Sequence, residues 1–97
     1  MPSLLRTFSQ EKLTGKFYTP EPLVEEVLEA VGYIPRPGLR ILDPACGDGQ
    51  FLVAVVRRIL AKLPREAWAE ALHHIEGWDI DDEALRQCRR RLDQLVE

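Results

Sequence analysis

Three short segments of this chain combine residue types and spacings that could do chemistry. The first is Asp43-Pro44-Ala45-Cys46-Gly47-Asp48-Gly49-Gln50-Phe51. Gly47 and Gly49 carry no Cβ, so a ligand can come close to the backbone there. Apolar residues recur at helical spacing beyond Gly49, so the segment opens a helix whose first N–H groups lack partners within it. Asp43 adds a carboxylate just before the glycines, which repels a diphosphate and attracts an ammonium group. The second segment is Gly77-Trp78-Asp79-Ile80-Asp81. Asp79, at the end of a strand, is placed to accept hydrogen bonds from two ribose hydroxyls, with Ile80 against an adenine face. Asp81 is better explained as a helix cap. The third is Gly15-Lys16-Phe17-Tyr18-Thr19-Pro20, where Thr19 at a helix N-terminus could bind a carboxylate through its hydroxyl and the exposed N–H groups.

Each segment alone has a plainer reading. Gly-x-Gly can be only a turn, the two acids only caps or turn residues, and Thr19-Pro20 only a cap. Together they suit one ligand. S-adenosylmethionine carries an ammonium, a carboxylate, an adenosine and a sulfonium, and no phosphate. A dinucleotide site would instead use Gly-x-Gly-x-x-Gly, and Leu52 occupies the third glycine position here. The gap from Asp43 to Asp79 also exceeds the roughly 20 residues usual in a dinucleotide fold. An extra segment, residues 64–73, accounts for it.

The elements that must position these residues follow from periodicity. Leu23, Val24, Val27, Leu28 and Val31 fall on one helical face, and Glu21, Glu25, Glu26 and Glu29 fall largely on the other. Thr19 suits the N-cap, Pro20 the first helical position and Gly32 the end. Residues 33–38 carry two prolines and a glycine and read as a connector. Residues 39–43 form a short apolar strand. Phe51, Leu52, Val55, Val56, Ile59, Leu60 and Leu63 then define a helix with Arg57, Arg58 and Lys62 outward, stopped by Pro64. Residues 65–73 form a further short helix and 74–79 a second strand. Asp81 caps a last helix that buries Leu85, Cys88, Leu92 and Leu95 or Val96. On that helix Arg86, Arg89, Arg90 and Arg91 interleave with acids and read as a solvated face. This alternation predicts an α/β unit of Rossmann type, with parallel strands, flanking helices and right-handed crossovers. Two strands make a poor sheet, so the unit is expected to be incomplete.

The totals bound the reading. Ninety-seven residues allow one small domain, and 45% hydrophobic with 30% charged residues is ordinary for a globular protein. A net charge of −3 argues against a free-standing nucleic-acid binder. The two cysteines, Cys46 and Cys88, lack the spacing of a zinc site, so no metal is expected. The absence of a signal-peptide or membrane-length apolar run makes a cytoplasmic protein with free thiols the simplest reading.

The three ordered segments, Phe-Tyr-Thr-Pro, Asp-Pro-Ala-Cys-Gly-x-Gly-x-Phe and Gly-x-Asp-Ile-Asp, resemble the successive cofactor motifs of amino-methylating DNA methyltransferases of restriction–modification systems. The likeness is closest to the adenine-N6 enzymes of type I and type IIG systems, and runs from about Lys12 to the end. It implies a class I methyltransferase fold and S-adenosylmethionine bound by Phe17, Tyr18, Thr19, Asp43, Pro44, Ala45, Cys46, Gly47, Gly49, Phe51, Asp79 and Ile80. Thr19 would meet the methionine carboxylate, Asp43 its ammonium, Asp79 the ribose and Ile80 the adenine. Gly47 and Gly49 would line the cofactor, and Phe51 would back the pocket. Asp48 departs from the serine often found between the glycines.

The family's catalytic Asn-Pro-Pro-Tyr is absent: the chain has no asparagine, and its seven prolines are never adjacent. The expectation is therefore an arm, residues 1–16, and a cofactor-binding subdomain, residues 17–97, truncated before the catalytic motif and inactive alone. DNA would be held by parts outside this chain, with a specificity or restriction subunit as further partner. The alternatives are a non-catalytic remnant that pairs with a methyltransferase subunit and an NAD-type Rossmann fragment.

Overall fold

In a computed structural model of the chain, the structure describes residues 19–97. The arm of residues 1–16, and with it Phe17 and Tyr18 of the expected site, lies outside the described residues. The elements are α1 (Glu21–Ala30), β1 (Ile41–Asp43), α2 (Gln50–Lys62), a 3₁₀ turn (Arg65–Ala67), α3 (Trp68–His73), β2 (Ile75–Gly77) and α4 (Asp82–Val96). The two strands pair in parallel, with Ile41 opposite Ile75, Leu42 opposite Glu76 and Asp43 opposite Gly77. The expected helix and strand order is present, as a small α/β arrangement of two parallel strands and four helices among the described residues.

α2 is the hub, since it packs against each of the other three helices. Its run of buried residues from Leu52 to Val56, with Ile59, explains why. One cluster joins Val24 and Leu28 of α1 to Ala54, Val55, Ile59 and Ala71, with Ile41, Phe51 and Ile75 against it. A second joins Cys46, Leu52 and Cys88, again with Ile75 against it. Side chains alternate across a strand, so Ile41 and Ile75 meet the helices while Leu42, 49% exposed, and Glu76 point the other way.

Several sequence expectations need correction. Thr19 does not cap α1. The Pro20 carbonyl accepts hydrogen bonds from Leu23 N at 3.0 Å and Val24 N at 3.1 Å, which makes Pro20 the cap residue and leaves Thr19 one position outside the helix. The apolar face of α1 is covered only at Val24 and Leu28. Leu23, Val27 and Val31 are exposed, because five apolar positions span a wider arc than α2 can cover. Arg58 is not outward. Its side chain is 21% exposed, pairs with Glu25 and Glu29 of α1, and lies 5.9 Å from the Tyr33 ring. Both strands are shorter than expected, although their pairing continues at each end: Ile41 N donates to His74 O and Trp78 N to Asp43 O.

Other local readings hold. Gly32, at φ +69°, follows the end of α1, and Asp81 caps α4 by accepting from Glu83 N at 3.0 Å and Ala84 N at 3.3 Å. Asp81→Ala is expected to cost about 1 kcal/mol, read as a lower urea midpoint at an unchanged slope. An unchanged midpoint would show that the cap contributes nothing.

Candidate functional site

Two of the three segments singled out by sequence, residues 43–51 and 77–81, meet at the carboxyl ends of the two strands, where α/β sheets bind their ligands. Asp43 ends β1, and its Oδ1 accepts from Ala45 N at 3.1 Å, turning the chain sharply out of the strand. Cys46 N then donates to Trp78 O at 2.9 Å, so the loop after β1 stays laced to the loop after β2. Gly47 and Gly49 adopt φ of +58° and +102°, and α2 begins directly after.

Asp79 joins the two loops. Its Oδ2 accepts from Gly47 N at 2.9 Å, and its Oδ1 accepts from Asp81 N at 2.8 Å. One carboxylate thereby fixes the first glycine of one loop and the path of the other. Asp43 and Asp79 are both half-buried, Pro44 and Ala45 are exposed, and Ile80 projects its side chain with 72% exposure beside the acids. The edge of the molecule here offers two carboxylates and an apolar side chain within one pair of loops. Thr19 is half-buried at the start of α1. Phe51 packs into the cluster between α1 and α2, so its ring supports the site from the core side.

Two glycines are explained by protein contacts. A Cβ on Gly49 would lie 2.8 Å from Cys88 Sγ, so the space expected for a close ligand admits a cysteine of α4 instead. A Cβ on Gly77 would lie 2.6 Å from Leu52 Cδ1 and 3.0 Å from Cys46 Sγ. That contact gives the physical reason for Leu52 at the third glycine position. The small residue needed for close helix–strand packing sits on the strand, as Gly77, and leaves room for a leucine on the helix.

Cys46 also departs from the expected lining. Its side chain is 4% exposed and faces the core with Leu52 and Cys88, so only its backbone belongs to the loop surface. Burial, and after it the neighbouring Cys88 and Asp43, push its thiol up to about 12. Both cysteines are free. A thiol whose pKa rises on folding contributes stability that is complete below its ordinary value near 9 and is lost as pH climbs toward 12. The fold is therefore expected to weaken progressively above pH 9, and iodoacetamide at pH 8 to label Cys46 at least about 100-fold more slowly than in urea. Equal labelling rates in the two states would contradict the burial.

Sequence reasoning missed one contact at the site. Arg91 of α4, placed with the solvated arginines, reaches across to Asp48: its Nη1 donates to the Asp48 carbonyl at 3.1 Å and lies 3.3 Å from Asp48 Oδ2. Arg86 and Arg90 pair with Glu83 on their own helix, as a solvated face would. The one local signal for Arg91 is that it follows Cys88 by three residues and shares its helix face. A groove of about 580 Å³ runs along β2 and α4, lined by Leu52, Ile75, Gly77, Leu85 and Leu92, but neither Asp43 nor Asp79 borders it. Among the described residues no helix is long and apolar enough to cross a membrane, and no cluster of three or more histidine, cysteine or acidic side chains could hold a metal.

The profile of the N-6 DNA Methylase family matches residues 3–92. Similar curated proteins include the type II methyltransferase M.BstVI of Geobacillus stearothermophilus, 33% identical over 89% of this chain and 17% of the relative. The type II methyltransferase M.VspI of a Vibrio species is 33% identical over 90% of this chain and 19% of its own length. The methylase subunit of the type I restriction enzyme MjaIX of Methanocaldococcus jannaschii is 38% identical over 84% of this chain and 13% of its own. The chain thus spans less than a fifth of the length of each of these relatives. No solved structure matches it.

Proposed function

Because this chain belongs to the N-6 DNA methylase family, we propose that it forms the S-adenosylmethionine-binding part of a restriction–modification methyltransferase that methylates adenine N6 in DNA. The strands and helices are then the first portion of a Rossmann-like class I methyltransferase fold. The observation that carries the reading is the bond from Gly47 N to Asp79 Oδ2, which brings the two most chemically specific segments into one site.

The donor set fits the cofactor. Asp43 supplies a negative charge for the ammonium, and Asp79, oriented by two backbone N–H groups, receives the ribose. Ile80 offers its exposed side chain to the adenine, and the family resemblance assigns the hydroxyl of Thr19, half-buried just before α1, to the carboxylate. When bound, the cofactor supplies a methyl group on a sulfonium. The residues of this chain bind and orient it, and the groups that grip the flipped base lie outside the sequence, which has no Asn-Pro-Pro-Tyr.

DNA is accordingly held by parts of the methyltransferase beyond these 97 residues, and the chain alone is inactive. The type I relative is by its name a methylase subunit, which supports a specificity or restriction subunit as partner here. A reducing cytoplasm suits the two free thiols.

Calorimetric titration with S-adenosylmethionine tests the reading. Saturable binding is expected, with NADH failing to compete and Asp43→Asn weakening binding about tenfold through loss of the charge opposite the ammonium. A chain that is folded by circular dichroism and binds no S-adenosylmethionine would overturn the assignment.

A further inference from the structure

We propose that Arg91 is a positioning residue for the cofactor loop, acting through Asp48. The inference rests on the cofactor reading above and adds a residue of α4 to the site. The Gly47-Asp48-Gly49 loop is a short path between two residues of positive φ. Glycines leave the backbone free to adopt many other conformations, so beyond the turn bond from Gly49 N to Cys46 O the path must be held from outside. Three contacts impose it. Asp79 holds Gly47 N from the β2 side. Cys88 Sγ fills the space against Gly49 from below. Arg91, one turn along the same face of α4, grips the residue between the two glycines at its carbonyl and its carboxylate.

The carboxylate contact has a visible cost. Asp48 is only 17% exposed in its side chain, and its Oδ1 is buried without a hydrogen-bond partner among the described residues. A half-satisfied carboxylate is drawn inward only where a charge offsets its lost hydration, and Arg91 is the cation in contact with it. Without Arg91 the side chain gains by turning to water, which rotates the peptide units on either side of it. Those units carry Asp48 N and Gly49 N, and Gly49 N closes the turn of the loop by donating to Cys46 O at 3.0 Å. Charge also matters at longer range. Asp43, Asp48 and Asp79 belong to the same pair of loops, and Arg91 neutralises the one carboxylate of the three that has no part in the proposed cofactor contacts.

The test combines titration with S-adenosylmethionine and amide NMR of the 97-residue chain. Arg91→Gln is expected to bind about tenfold more weakly, the scale of a small misplacement of a binding group. Arg91→Lys, which keeps the charge but replaces the planar guanidinium with a compact, more strongly hydrated ammonium, is expected to fall between Arg91→Gln and the parent. In ligand-free Arg91→Gln the Gly47 and Gly49 amide resonances are expected to shift while those of Ala54 and Ile59 stay in place. Affinity within twofold of the parent, or unmoved glycine resonances, would overturn the proposal. If Arg91→Gln does not fold, Asp48→Asn takes its place, since it keeps the carbonyl contact and removes the charge. It is expected to bind at least about threefold more weakly, and parent-like binding by it would be fatal to the idea. If the parent chain binds no S-adenosylmethionine, the cofactor reading fails, and the glycine resonances still decide whether Arg91 sets the loop.

Discussion

Alanine in place of Gly49 is expected to destabilise the fold by about 2–4 kcal/mol, the sum of a strained backbone and an overpacked contact. The backbone contribution arises because φ is +102° at this position, a conformation that a side chain makes costly. The packing contribution arises because the new Cβ would lie 2.8 Å from Cys88 Sγ and 3.6 Å from Cys88 Cα. Neither partner can retreat easily. Gly49 is the cap residue of α2, its carbonyl accepts from Val53 N at 2.7 Å, and Cys88 is buried on α4. Domains this small have little stability to lose, so urea unfolding should show a large drop in midpoint or no folded baseline at all. Combining the change with Cys88→Ala separates the two causes. The double variant should recover the packing part and keep the backbone part. A Gly49→Ala protein with the parent's midpoint would mean that the loop is not held against α4 as described.

Removal of the Asp79 side chain should have the largest effect on the proposed function. Asp79→Ala is expected to weaken S-adenosylmethionine binding at least about 100-fold, close to 3 kcal/mol. It would remove the acceptor proposed for the ribose and, in the same step, the bond that places Gly47. The variant also leaves Gly47 N and Asp81 N without this acceptor. Water can reach the loops, so the stability cost sits near the lower end of the 1–3 kcal/mol range for a lost partner, about 1 kcal/mol. Hydrogen exchange separates these effects: the Gly47 and Asp81 amides should exchange faster, while amides within α2 change little. Asp79→Asn keeps one oxygen acceptor and should lie between the two. If Asp79→Ala bound S-adenosylmethionine as the parent does, the ribose assignment would be lost even with the loop contacts intact.

What the sequence determined by itself is what a few neighbouring residues decide. The apolar spacing after Gly49 places α2, Asp81 caps α4, and Gly32 sits at positive φ just past the end of α1. Each depends on a local constraint of period, cap chemistry or φ. The positions of Asp43 at the end of β1 and of Asp79 two residues past the end of β2, on which the candidate site depends, belong to the same class, because alternating helices and strands bring the strand ends to one edge. Tertiary structure alone decided which residues touch across the chain. Asp48 meets Arg91, Gly77 meets Leu52, Gly49 meets Cys88 and Arg58 meets Glu25. It also decided that Val24 and Leu28 are covered while Leu23, Val27 and Val31 are not. A helix pattern states which side chains share a face, but only the position of the neighbouring helix states how much of that face is buried. A glycine in the sequence states that a Cβ is missing, and only the packed structure shows that the vacant space belongs to a cysteine.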